Sequence, residues 1–228
     1  MSDILPQIDE AFMCDSVPAE VMDVLWAAGW RHFGALFFRY STQTGADGGA
    51  QLITPLRIRL ADFRENKSQR RVRARNRDLR QEITPVRLDA DLRALFEKHI
   101  TRFETNVPGA LEDFLGPVPE SGPCDSRMLR VFAGEKLLAA SFFDVGATAV
   151  SSVYAMFDPE EARRGLGIFT LLLEADFARQ NGHAWLYTGY ATRESSAYDY
   201  KKQFRPTEWL DWSLGWQKSE DAATLPMQ

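Results

Sequence analysis

Two stretches of this 228-residue chain carry residue types and spacings able to do chemistry. Ala162-Arg163-Arg164-Gly165-Leu166-Gly167 stands directly before an apolar run of helical length ending at Gln180. Glycines at a helix start leave backbone N–H groups free beside the positive end of the helix dipole, which suits an anion. Residues 57–80 hold ten basic side chains (Arg57, Arg59, Arg64, Lys67, Arg70, Arg71, Arg73, Arg75, Arg77 and Arg80) and three acids. That is a surplus of seven positive charges in a chain whose total is −5, so the remainder carries −12. Such segregation marks a local polyanion site on an otherwise acidic protein. No convincing Ser-His-Asp or Cys-His arrangement accompanies these stretches. Of the three histidines, His99 adjoins core-facing Ile100 and His183 lies in a helix-ending turn. They and His32 are read as structural.

The elements that must position these groups follow from pattern and punctuation. Pro18–Gly29 reads as a short helix with Val21, Val24, Leu25 and Ala28 on its apolar stripe. Gly34–Tyr40 and Leu52–Leu60 read as strands around a Gly, Ser and Thr rich loop at 41–51. Leu92, Leu95, Phe96, Ile100 and Phe103 fall at helical spacing, with Asp89 or Asp91 as the cap. Met128–Ala133, Lys136–Val145 and Ala147–Phe157 form a meander of antiparallel hairpins turning at Gly134-Glu135 and Gly146. A helix from Gly165-Leu166-Gly167 through Gln180 and a buried strand Ala184–Tyr190 follow, then a tail at 205–216. Its Trp209, Trp212 and Trp216 are expected to pack rather than to stack on bases.

Composition narrows the class. Apolar residues make up 45%, enough for one sizeable core, and no run approaches the length of a membrane span. The N-terminus, MSDILPQIDEAF, lacks a basic n-region and an apolar h-region, so a signal peptide is not expected. Two cysteines, Cys14 and Cys124, without a CxxC, argue against disulfides or a zinc ribbon and point to a reduced, cytoplasmic protein.

The glycine segment resembles the acetyl-CoA loop of the GCN5-related acetyltransferases, whose pattern is roughly Q/R-x-x-G-x-G/A, although Ala162 departs from it at the first position. The implied fold class is α+β, an acetyltransferase-like (GNAT) mixed sheet flanked by helices, with an N-terminal extension. The expected division is an N-terminal region with the basic segment at 1–85, a catalytic domain at 86–216 and a polar tail at 217–228.

A longer resemblance spans residues 29–208. Phe63–Leu79 (FRENKSQRRVRARNRDL) is similar to the basic signature of the aminoacyl-tRNA–protein transferases, with Ser68-Gln69-Arg70-Arg71-Val72, Arg75-Asn76 and Asp78-Leu79 as its core. Gly29-Trp30-Arg31 with Gly34 resembles that family's G-F-R-R-S-G. Ser151–Pro159 with Arg164-x-Leu166-Gly167 resembles S-A-V-Y-x-F-F-D-P…R-S-L-G. Leu186–Tyr190, and Tyr200-Lys201 with Phe204, Pro206 and Glu208, resemble Y-L-G-Y and Y-K-x-x-F-x-P-x-E. The family's N-terminal cysteine set is missing, and Cys14 alone cannot hold a metal or cluster, so neither metal nor cofactor is expected.

The resemblance implies transfer of leucine or arginine from aminoacyl-tRNA to the N-terminal α-amine of a protein, one starting with Asp or Glu, which marks it for degradation. Aminolysis of an ester needs no enzyme nucleophile. It needs a deprotonated, aligned amine and a stabilised oxyanion. Arg70, Arg71, Arg73, Arg75 and Asn76 are the expected contacts to tRNA phosphates or to the acidic acceptor. Arg164, Gly165 and Gly167 would receive the CCA end. Asp144 would anchor the acceptor ammonium, while Tyr190 and Lys201 line the aminoacyl pocket, Lys201 beside the oxyanion. Two alternatives stay open: an acyl-CoA-dependent acetyltransferase, and a non-catalytic protein binding tRNA or a degron.

Overall fold

A computed structural model describes residues 7–45, 48–104, 107–192 and 199–218. Strands β1 (Asp9–Met13), β2 (Arg31–Phe33) and β3 (Leu36–Tyr40) form a small antiparallel sheet in the order β1-β3-β2. Helix α1 (Ala19–Ala27) lies between β1 and β2, and its Met22 and Trp26 pack with Phe37 and Tyr187. The short β4 (Thr42–Thr44) pairs with β5 (Ala50–Arg59). Then come helix α2 (Lys67–Arg75), β6 (Arg80–Pro85), helix α3 (Ala90–Ile100) and the single turn α4 (Glu112–Leu115).

The meander expected from the sequence is present as β7 (Asp125–Ala133), β8 (Lys136–Val145) and β9 (Ala149–Phe157). After a 3-10 turn at Pro159–Arg164 the chain enters helix α5 (Leu166–Gln180), then β10 (Trp185–Thr192). A second 3-10 turn, Asp199–Gln203, precedes β11 (Thr207–Asp211) and β12 (Gly215–Lys218). The main sheet runs β12-β11-β5-β10-β9-β8-β7-β6. All neighbours are antiparallel except β9 and β10. This is the mixed sheet flanked by helices that the glycine loop implied. The residue 85/86 division passes between elements of one unit, because β5 and β6 are strands of the same sheet as β7–β12.

Helices cover the sheet on both faces. On one side α5 and α2 enclose a core of Ile58, Phe63, Val131, Phe143, Leu172 and Phe204. On the other, α3 and α4 pack Leu92, Phe96 and Leu115 against Met128, Ala140 and Phe142. Being sandwiched explains why β8 reads as a nearly continuous apolar run, KLLAASFFDV, rather than an alternating one. The basic stretch forms α2 although its only buried apolar residue is Val72. Its start is fixed instead by a capping box, Asn66 Oδ1 accepting from the Gln69 N–H and Gln69 Oε1 from the Asn66 N–H. Trp209 is buried, and the indoles of Trp212 and Trp216 donate to the carbonyls of Ile53 and Ala27, so all three are packing residues.

Candidate active site

Parallel β9 and β10 pair over three rungs only, Ala149–Ser151 against Trp185–Tyr187. Beyond them β9 continues to Phe157 against β8, and β10 continues to Thr192 against β5. Each strand has a bulge where pairing stops: the β8/β9 register shifts at Phe142/Phe143, leaving Val153 extra, and the β10/β5 register shifts between Tyr187 and Gly189, leaving Thr188 extra. Bulges bend strands and redirect side chains. Here they splay the neighbouring strands at their C-terminal ends, the same end at which the glycine loop starts α5.

Three charged side chains converge on this gap from distant regions of the chain. Arg31 of β2 donates from Nη2 to the Ser152 carbonyl at 2.7 Å. Lys201 arrives from the 3-10 turn before β11. Both crowd Gly189, where a built Cβ would lie 2.3 Å from Arg31 Nη1 and 3.2 Å from Lys201 Nζ. Glu174 rises from the middle of α5 at 1% exposure, beside the hydroxyls of Ser141 and Ser152. Neither of its carboxylate oxygens completes a hydrogen bond of good geometry among the described residues. Burial raises the Glu174 pKa to about 7 against the opposing pull of the two serines, Lys201 and Arg31. Burial, helped by the Arg31 charge and opposed by Glu174, lowers Lys201 to about 7. Titration near neutrality in a cleft is a signature of catalytic groups.

Tyr190 lies beside this cluster and holds it. Its hydroxyl donates to the Gly29 carbonyl at 2.6 Å, its ring meets that of Tyr40 edge-on, and burial raises its pKa. It thereby ties β10 to the turn that presents Arg31.

Asp144, near the end of β8, has partners of its own. It is buried with His32, whose Nε2 lies 2.8 Å from Asp144 Oδ2 while Nδ1 lies 2.8 Å from the Gly34 carbonyl. The Ser126 hydroxyl donates to the other Asp144 oxygen at 2.6 Å. Both ring nitrogens thus point at acceptors, which fits an imidazolium. Burial opposes that charge, but the Asp144 carboxylate outweighs it and raises the His32 pKa. Burial likewise opposes the Asp144 charge, but His32, Ser126 and Arg31 together lower its pKa. His32, read as structural, lies buried in this pair. Asp144 belongs to the same buried pair, next to the segment that carries Arg31.

Donor atoms of His32, Cys124 and Asp144 lie within 4.8 Å of one another. The cluster suggested by the family's cysteine set does not fit this chain. Cys14 donates its thiol to the Ser16 carbonyl, and Asp144 is already committed to His32 and Ser126.

The anion-binding residues expected from the sequence divide into two groups. Arg70, Arg71 and Arg75 are exposed on α2. Arg73 is engaged by Glu65 at 2.6 Å and Asp176 at 2.8 Å. Arg164 is held by Asp78 at 3.1 Å and Glu161 at 3.0 Å. Asn76 is buried and donates to the carbonyls of Val72 and Arg164, both at 2.9 Å, while Arg75 donates to the Arg163 carbonyl. Asn76 is therefore a clip between α2 and the glycine loop. Gly165, at φ +70°, lies against Val72, 3.3 Å from where its Cβ would be. The clip merges the basic helix and the glycine loop into one surface leading to the gap, with Gly167 in the first turn of α5.

A cleft of about 780 Å³ lies elsewhere, between β6, β7 and the 119–126 segment, lined by residues including Glu82, Asp89, Cys124 and Arg130. Neither Glu174 nor Lys201 lines it.

The splayed sheet, the glycine loop and the two partly buried basic side chains define an acyl-transfer enzyme of acetyltransferase-like fold. Residues 91–211 match the family model described as arginine-tRNA-protein transferase, C terminus, and the chain belongs to the aminoacyl-tRNA–protein transferase family. An aspartate/glutamate leucyltransferase of Stenotrophomonas maltophilia (strain R551-3) is 34% identical over 192 residues, covering 80% of this chain and 74% of that protein. One from Shewanella sp. (strain MR-4) is 29% identical, covering 88% and 82%. Among solved structures, FemX aligns with TM-score 0.50 and 11% identity over 95% of this chain and 72% of that one. L-PGS from Bacillus licheniformis aligns with TM-score 0.50 and 12% identity over 72% of this chain, which spans 57% of that structure's length. At such identities these two likenesses speak for the fold alone.

Sequence reasoning found Lys201 and Tyr190 through the family motif but missed Arg31 as a site residue and Glu174 altogether. The signal for Glu174 was available: it is a lone acid inside the apolar run IFTLLLEADFA. A charge on the buried face of a helix calls for a purpose.

Proposed function

We propose that this protein transfers leucine from leucyl-tRNA to the N-terminal α-amine of proteins that begin with Asp or Glu, marking them for degradation in the cytoplasm. The observation that carries the reading is the convergence of Arg31 and Lys201 on Gly189 where β9 and β10 separate. An ester carbonyl entering the gap would develop its negative oxygen beside the Arg31 guanidinium and the Lys201 amine, and such fixed donors stabilise a transition state. No residue need be acylated, in keeping with the lack of a nucleophilic triad among the described residues. The exposed Arg70, Arg71 and Arg75, joined through Asn76 to the glycine loop, would track the acceptor stem toward Gly165 and Gly167. Leucine is favoured over arginine because the relatives quoted above are leucyltransferases.

The test mixes the purified protein with a peptide beginning with Asp or Glu and with leucyl- or arginyl-tRNA, followed by mass spectrometry. A mass gain of one leucine, abolished by RNase, is expected. A gain of arginine would reassign the donor. No gain from either, with thermal stabilisation by acetyl-CoA, would replace this reading with an acyl-CoA-dependent one.

A further inference from the structure

The reaction imposes a proton inventory that the residues assigned so far do not meet. The acceptor arrives as an ammonium and leaves as an amide nitrogen with one hydrogen, so two protons must depart from it. One has to reach the ribose oxygen when the ester C–O bond breaks, and the other must leave the site. Arg31 remains charged and can do neither. Asp144 is enclosed by His32 and Ser126.

We propose that Glu174 and Lys201 act as one proton-holding pair beneath the gap, Lys201 meeting the acceptor nitrogen and Glu174 providing the second seat for its protons. The proposal rests on the aminoacyl-transfer reading above. Neutral Lys201 takes the first proton from the ammonium. The freed amine attacks the ester carbonyl, forming the C–N bond, and the carbonyl electron pair moves onto oxygen beside Arg31. The nitrogen passes its second proton to the Glu174 carboxylate. The intermediate then collapses: the C–O bond breaks, its electron pair leaves with the ribose oxygen, and that oxygen takes the proton held by Lys201. Glu174 afterwards returns its proton to solvent.

Three observations support the pairing. Glu174 is fully buried in an otherwise apolar helix, yet both of its oxygens lack hydrogen bonds of good geometry among the described residues. A merely structural acid would be expected to be saturated with donors. Beside it lie the hydroxyls of Ser141 and Ser152, and at the β10 bulge the buried Thr188 Oγ1 has no hydrogen bond among the described residues, so polar capacity is concentrated where the strands separate. Finally, both members titrate near neutrality, the range in which a group can accept and donate a proton in one cycle. The groups acting on the pair include Arg31 from β2, Ser141 from β8 and Ser152 from β9. Arg31 is in turn influenced by Tyr190, Asp144 and Tyr40. Asp176, also on α5, is engaged by Arg73.

The experiment measures single-turnover leucine transfer from leucyl-tRNA to an Asp-led peptide from about pH 5.5 to about pH 9, for the wild type and for Glu174→Gln, with circular dichroism to verify folding. The amide keeps the shape of the acid but cannot take the proton. The variant should be about 100-fold slower. Its acidic limb should also move to lower pH, because Lys201 has lost the carboxylate that helps it keep its proton. The acceptor amine, with a pKa of about 7.7–8.0, contributes equally to both profiles. A folded Glu174→Gln enzyme within about threefold of wild type, or slower with an unmoved limb, would overturn the pair while leaving the transferase reading intact. An unfolded variant is replaced by Glu174→Asp, which must then restore the wild-type limb, or the pair is refuted. If the wild type itself transfers no leucine, the reading beneath the proposal falls and the proposal falls with it.

Discussion

Arg31 occupies the space that Gly189 leaves by having no side chain: a Cβ there would intrude to 2.3 Å from Arg31 Nη1. The glycine also sits at φ +96°, where an L side chain is strained. Two requirements, a bulged backbone and room for a guanidinium, thus meet at one position of β10.

Gly189→Ala should therefore cost about 1–3 kcal/mol of stability through strain. Transfer should fall more than stability alone explains, because the side chain also displaces Lys201. Thermal melts compared with single-turnover rates separate the two effects.

Arg31→Lys keeps the charge but gives up the planar fork that reaches the Ser152 carbonyl. The expected loss is about 10²–10³ in the rate of transfer, the range seen when one oxyanion donor is removed. Affinity for tRNA, measured by filter binding, should hardly change.

The His32–Asp144 pair makes stability depend on pH in a definite direction. His32 is raised above 6.5, so its contribution is complete below that value and fades as pH rises through its folded-state pKa. Asp144 is lowered below 3.8, so its contribution is complete above that value and fades as pH falls through its folded-state pKa. Asp144→Asn should thus lower the melting temperature most between pH 3.8 and 6.5, with a smaller deficit at alkaline pH. Breaking a buried pair costs about 3–5 kcal/mol. An equal deficit at all pH values would show that His32 is not charged in the folded protein.

The two groups of basic residues should behave differently. Replacing Arg70 and Arg71 by Gln should weaken tRNA binding and flatten its dependence on log salt by about 1.4–1.8, with the melting temperature unchanged. Asn76→Ala should do the opposite, costing about 1–3 kcal/mol of stability by leaving buried carbonyls of Val72 and Arg164 without their donor.

What the sequence revealed follows from how each element is stabilised. α3, α5 and the β7–β9 meander show apolar periodicity because they bury wide faces, and their positions were legible. α2 was not, since KSQRRVRAR buries Val72 and Gln69 and is started by a capping box rather than by an apolar stripe. β1, β2 and β6 were hidden as well: β2 has three residues and β1 is exposed throughout. Motif resemblance delivered Lys201 and Tyr190. It did not disclose how Asp144, Asn76, Arg73 and Arg164 are held, since their partners come from remote segments that no local pattern shows. Glu174 drew no notice because its helix reads as core.

β5 lies between β10 and β11, and Arg31 comes from before both, so the segment that the family model matches, 91–211, lacks a central strand and one of the three charges. Excised on its own it would be neither a whole sheet nor a whole catalyst. During synthesis the same geometry sets a schedule: Arg31 emerges first, Glu174 much later, and Lys201 last. A nascent chain cannot bring the three together until Lys201 has left the ribosome.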